Sequence, residues 1–210
     1  MTEEFGPWVP LAIDDVAQLL DPLGLLWWVA GGHALDLHVG SSWRTHDDLD
    51  VGVRRSDAPL LAPLLDDWRV EVAADGRLTP WFGQPLDAAA NQNNLWIGHR
   101  DGAWALDVLI GEGDDERWIY RRDPNLSLPW KEVLAQAPTG ERYLAAWLQL
   151  LFKSRGNRAK DRDDAAVVIP TLRDDDRTRL AHWLPDEHPW QSIVAAMVDE
   201  RRSIKRPSPE

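Results

Sequence analysis

The 210-residue chain contains no cysteine. That excludes a disulfide framework, a thiolate zinc site and a cysteine nucleophile. It also fits a reducing compartment. No run of about 18 apolar residues occurs, so no membrane span is expected. The opening MTEEFGPWVP lacks a basic segment leading into an apolar one, so a secretory signal is not expected either. Together these point to a cytoplasmic protein. Basic residues are outnumbered, 23 against 35 acids, for a net charge of −12. Such a chain is a poor candidate for grasping nucleic acid through its phosphates.

What is present argues for a packed globule. The hydrophobic fraction is 44% and there are 13 Trp. A chain this long buries roughly 70% of its unfolded surface and needs no covalent staple. The charge is uneven: residues 1–120 carry 21 acids and 7 bases, and residues 121–210 carry 14 and 16. Two subregions with different electrostatic roles follow.

Hydrophobic periodicity predicts a helix over 11–22, a buried strand over 25–30 and a helix from His33 to Gly40. A strand at 49–53, a helix at 58–68 and a strand at 70–73 come next. Strands at 95–99 and 104–110 meet across Asp101-Gly102, a hairpin signal. Helical spacing then covers 141–154, 161–169, 174–184 and 190–202, and the last residues, KRPSPE, read as disordered. The expected class is α/β (α+β): a small mixed sheet flanked by helices over 1–125, then a helical region over 126–210.

The carboxylates carry the chemistry. Asp48 and Asp50 are two apart, so a strand would show both on one face. Like charges that close repel unless a cation stands between them. Mg²⁺, with its preference for oxygen ligands, resolves the conflict. Asp107, inside the apolar run WALDVLI, needs a partner for the same reason and is the natural third ligand of a two-metal site. Asp47 is out of phase and reads as a turn residue. Gly31-Gly32 ends a strand and opens a helix, where backbone N–H groups approach a phosphate. Arg44 is a candidate phosphate contact, and His46 a group supporting the metal ligands. Lys153 is a second phosphate candidate, with Lys160 behind it; the alternative for both is a solvated helix face with local ion pairs. His33 and His38 read as structural. Arg121 and Arg122 are expected to pair with nearby acids.

These motifs, GGHALD followed by RTHDDLD and a later strand Asp, resemble the DNA polymerase β-like nucleotidyltransferase superfamily. The similarity is to its aminoglycoside 2″-adenylyltransferase-like and lincosamide nucleotidyltransferase-like members. WIYRRDP (118–124), YLAAWLQLLFKSRGNRAKDRDD (143–164) and His188-Pro189-Trp190 also resemble segments of this group. Two departures stand out: His33 holds a position often Trp, and Ala146-Trp147 replaces Pro-Glu.

The resemblance implies transfer of a nucleoside monophosphate, AMP foremost, from an NTP to a hydroxyl, with release of pyrophosphate. Asp48 and Asp50 would hold Mg²⁺. Asp107 would ligate a second ion and take or orient the hydroxyl proton. The implied acceptor is a small hydroxylated compound, cationic where it is of aminoglycoside type. Asp114, Asp115 and Glu116, with Asp87 and Glu112, are candidates to meet its charge, and Trp81, Trp96 and Trp104 to stack on its sugars. Two alternatives stay open: nucleotidylation of a protein or RNA, and a non-catalytic nucleotide-binding protein on the same fold.

Overall fold

A computed structural model describes residues 5–100, 102–156 and 158–194. It forms two compact units, 1–144 and 145–210.

The first unit opens with α1 (Ile13–Leu20), whose Val16 and Leu20 are buried. Strand β1 (Trp27–Val29) runs into α2 (Gly31–Val39), which stops at Gly40 in the left-handed region, φ 83°. Next come β2 (Asp50–Arg54), β3 (Trp68–Ala74), β4 (Arg77–Pro80), β5 (Asn94–His99) and β6 (Trp104–Gly113). Strand β7 (Arg117–Ile119), β8 (Ser127–Pro129), the short α3 (Trp130–Val133), β9 (Leu134–Gln136) and β10 (Arg142–Leu144) complete it.

The strand order is β4-β3-β5-β6-β2-β1-β10-β9, with β7 joining β6 to β8. β2 lies parallel to β6, and β1 parallel to β10; the other pairs are antiparallel. The expected class holds: a mixed sheet with flanking helices, followed along the chain by helices.

Alternation gives the central strands two faces. Val51 and Val53 of β2, with Leu106, Val108 and Ile110 of β6, enter the core beside Val29, Leu95, Ile97 and Leu61. Asp50, Gly52 and Arg54 occupy the other face of β2, paired with Asp107, Leu109 and Gly111. Trp28 lies so close on that face that a Cβ at Gly52 would sit 2.0 Å from it.

Three expectations need correction. The helical region does not begin at 126. β9 and β10 add to the main sheet, so the division between units falls after Leu144. For the same reason the helix expected over 141–154 starts at Ala146, because Arg142–Leu144 pair as a strand. The helix expected over 58–68 is a 3₁₀ stretch over Arg55–Asp66, since Pro59 and Pro63 supply no N–H to an α-helical ladder. β5 and β6 pair as the hairpin signal required, although Asp101 at its tip lies outside the described residues.

The second unit holds α4 (Ala146–Ser154), α5 (Ala159–Val168) and α6 (Asp174–Trp183). α4 packs on both α5 and α6. His188 joins this unit through a 3.1 Å hydrogen bond between its Nε2 and the Ser154 carbonyl. The helix expected over 190–202 and the KRPSPE tail extend past Val194, outside the described residues. No helix among the described residues is long and apolar enough to cross a membrane.

Candidate active site of the first unit

Two parallel neighbours place the acids. Asp50, the first residue of β2, is the direct partner of Asp107 on β6. Paired residues project from the same sheet face, so the two carboxylates stand side by side. The Leu49 carbonyl accepts the Asp107 N–H at 3.0 Å, which fixes the register at this edge. Asp48 differs from expectation. It lies in the bend before β2 rather than on the strand, yet its charge still acts on Asp107.

Asp107 accepts two hydrogen bonds from the Asn94 amide, at 3.0 and 3.2 Å, and one from the Trp96 indole. Asn94 and Trp96 sit on β5, the antiparallel neighbour. Burial, and then the Asp50 carboxylate, push the Asp107 carboxyl well above the ordinary carboxylate range. Asp48 adds to the push, and the bonds from Asn94 and Trp96 oppose it.

The glycines make the site possible. Gly31 sits at φ +63°, and a Cβ there would lie 1.8 Å from the Asp50 Oδ2. The space a side chain would take is filled by the carboxylate, against the first turn of α2. Gly32 plays the same part for His46, whose Nδ1 would be 2.2 Å from a Cβ, and for the Arg44 Nη2 at 2.9 Å. Gly31, Gly32, Arg44, His46, Asp48, Asp50 and Asp107 thus gather at the start of α2 and β2. Gly31→Ala should cost about 2 kcal/mol from its backbone conformation alone. It should also displace Asp50 and lower turnover by about 10²-fold. Thermal melts and steady-state rates check both, and a fully active, equally stable variant would contradict the packing.

His46 does not face the carboxylate pair through its Nε2. That atom meets the Asp36 Oδ2 at 2.8 Å, and the ring lies against His33, with centroids 4.3 Å apart. Burial, and then His46, lower the proton affinity of His33, against the pull of Asp36 and Asp48. Sequence reasoning missed Asp36 and read His33 as merely structural. The signal available was the third position after His33, one helical turn away.

Asp50 and Asp107 offer paired carboxylates, the oxygen chemistry that suits a hard divalent cation, and a cation would relieve the repulsion that adds to burial in raising Asp107. The oxygens of Asp48, Asp50 and Asp107 do not all lie within 4.8 Å of one another, so the expected three-ligand set is not drawn together in this structure. Asp107 binds its proton more tightly in the fold than in the unfolded chain. Stability without metal should therefore fall as pH rises above about 4, the range where an ordinary aspartate has already lost its proton. Mg²⁺ should restore it. Melting profiles against pH in EDTA and in Mg²⁺ test this. A pH dependence unchanged in Asp107→Asn would contradict it.

The residues expected to meet an acceptor are largely engaged elsewhere. Glu112 accepts a 2.9 Å bond from the Arg55 Nε, and Asp115 a 2.7 Å bond from the Arg54 Nη1. Asp114 caps its own turn, taking the N–H groups of Glu116 and Arg117 at 2.9 and 2.7 Å. Asp87 accepts the Ala89 N–H at 2.8 Å. Trp81 and Trp104 are core residues whose indoles donate to the carbonyls of Gln84 and Phe5. Trp96 packs edge-on against Phe5, Trp8 and Trp104. A cavity of about 690 Å³ nevertheless opens beside this acidic stretch, lined by Asn91, Asn93, Glu112, Asp114, Arg121 and Arg122 among others.

In the second unit Lys153 is buried. Its Nζ lies 3.0 Å from Asp164 and 3.7 Å from Asp161, both fully buried. Lys160 is half-buried on α5.

Residues 12–80 match the model of the aminoglycoside-2″-adenylyltransferase family. A comparison with curated protein sequences gives no match. Among solved structures, ANT(2″)-Ia in complex with adenylyl-2″-tobramycin aligns at 16% identity and a TM-score of 0.55. That alignment covers 81% of this chain and 94% of the other. The solution structure of the antibiotic-resistance factor ANT(2″)-Ia aligns at 16% identity and a TM-score of 0.56, over 91% and 95%. Lincomycin-bound LnuA, a lincosamide antibiotic adenylyltransferase, aligns at 17% identity and a TM-score of 0.51, over 74% and 95%. In its matched segment and in its fold, this chain is similar to the aminoglycoside and lincosamide adenylyltransferases.

Proposed function

We propose that this protein is a Mg²⁺-dependent nucleotidyltransferase that moves AMP from ATP to a hydroxyl of an aminoglycoside-type antibiotic. The observation that carries the reading is the registered pair Asp50 and Asp107, set against the glycine-opened start of α2. Three lines support it: the family model matched by residues 12–80, the fold shared with antibiotic adenylyltransferases, and a carboxylate set suited to Mg²⁺.

Asp48, Asp50 and Asp107 would hold the metal. Bound there, Mg²⁺ supplies charge neutralisation to the triphosphate. Gly31 and Gly32 bring backbone N–H groups and the positive end of α2 to the phosphates. Arg44, beside Gly32, adds a cation. The acceptor hydroxyl attacks the α-phosphorus, the bond from that phosphorus to the bridging oxygen breaks, and pyrophosphate leaves. Asp107 takes the hydroxyl proton, a role its raised proton affinity suits. Asn94 and Trp96 hold its carboxylate in place for that transfer. Lys160 is proposed as a nucleotide contact of the second unit, while Lys153 is assigned to binding α5 to α4. The need for ATP and Mg²⁺ agrees with a cytoplasmic location.

The test is pyrophosphate release with Mg²⁺, ATP or GTP and a panel of aminoglycosides. Turnover with ATP and a panel member is expected. No turnover with any of them, together with labelling of a co-purified protein by α-labelled ATP, would overturn the small-molecule acceptor.

A further inference from the structure

We propose that His33, Asp36 and His46 form a binding site for a divalent transition metal of the Zn²⁺ class, separate from the Mg²⁺ carboxylates. These are the one group among the described residues whose ligand atoms all lie within 4.8 Å of one another. His33 and Asp36 are three apart on α2 and share a helix face. His46 arrives from the segment before β2, turned by its contact with Gly32 so that its Nε2 meets the Asp36 Oδ2 at 2.8 Å. Ligand atoms around a tetrahedral zinc lie about 3.3 Å apart, from metal–ligand distances of about 2.0–2.1 Å. The pair is therefore within a few tenths of an ångström of a bridged geometry.

A second observation points to a missing partner. The other Asp36 oxygen, Oδ1, is buried and accepts no hydrogen bond. Burying an acceptor without a partner is costly, and an ion held by both Asp36 oxygens removes that cost. Two imidazoles and one carboxylate form a borderline-soft donor set, which selects Zn²⁺, Co²⁺ or Fe²⁺ over Mg²⁺. The three-carboxylate group has the opposite preference. On binding, a Zn–N bond replaces the hydrogen bond between His46 and Asp36, and its proton passes to solvent. The ion clamps α2 to the segment that carries Asp48.

The experiment is Zn²⁺ titration of the full chain by calorimetry, with millimolar Mg²⁺ present throughout. One Zn²⁺ per chain is expected, with binding weakened at least about 100-fold in His33→Asn. X-ray absorption of the Zn²⁺ complex of the unsubstituted chain counts imidazoles without any variant, and two are expected. A chain that takes up no Zn²⁺ overturns the proposal. So does binding that survives in folded His33→Asn, or an absorption spectrum with fewer than two imidazoles.

Discussion

Asp107→Asn should abolish adenylyl transfer, by at least about 10³-fold, while raising the melting temperature of the metal-free protein. The two effects share one cause. Asp107 is half-buried and faces Asp50 in direct register, and both circumstances disfavour its charge. Asparagine has the same shape. Its oxygen still accepts the shorter bond from the Asn94 amide, the 3.2 Å bond to the second oxygen is lost, and its nitrogen can donate to Asp50. Relief of the repulsion is worth about 1 kcal/mol, or about 2–4 °C for a chain of this length. Under the proposed function, the same substitution removes a metal ligand and the acceptor for the hydroxyl proton. Melts in EDTA and pyrophosphate release in Mg²⁺ give the two readouts. A variant that is inactive and strongly destabilised would mean that the acid holds the fold rather than the chemistry.

Lys153→Met should destabilise the chain by about 3–5 kcal/mol, a loss of about 10 °C or more. Its ammonium stands between Asp161 and Asp164, whose side chains are 0% exposed. Asp161 keeps a second partner, since the Arg158 Nε donates to it at 2.9 Å. Asp164 would lose its 3.0 Å contact with the ammonium and remain a buried charge without that cation. Adding Asp164→Asn to Lys153→Met should recover much of the loss. Denaturant melts of the single and double variants decide it. Equal stability of Lys153→Met and the unsubstituted chain would remove Lys153 from the structural role and return it to solvent.

Much of the first unit was legible because its signals are local. Alternation over 49–53 and a lone charge in the apolar run WALDVLI singled out Asp50 and Asp107, and the parallel register of β2 and β6 is what sets them on one face. The turn chemistry of Gly31-Gly32 announced a strand running into a helix, and the structure adds why two glycines are needed there. Strands β7 to β10 were not legible. Each has three residues, too few for a period-two pattern, and forms only by pairing with distant segments. The pairing of Asp36 with His46 spans ten residues and crosses from a helix to a loop, so helical spacing alone does not reveal it. The same holds for Lys153. Its charge suggested a ligand contact, but its partners lie eight and eleven residues onward on the next helix. Asp48 was misplaced for the reverse reason: a spacing of two suits a strand, but the ladder begins only after it.

The central claim is that the carboxylates of β2 and β6 jointly hold the metal of the reaction. Mn²⁺ stands in for Mg²⁺ and is visible by electron paramagnetic resonance. With ATP present, the unsubstituted chain should retain protein-bound Mn²⁺, and Asp50→Asn and Asp107→Asn should each lose most of it while staying folded. Equal Mn²⁺ retention in all three proteins would contradict the account.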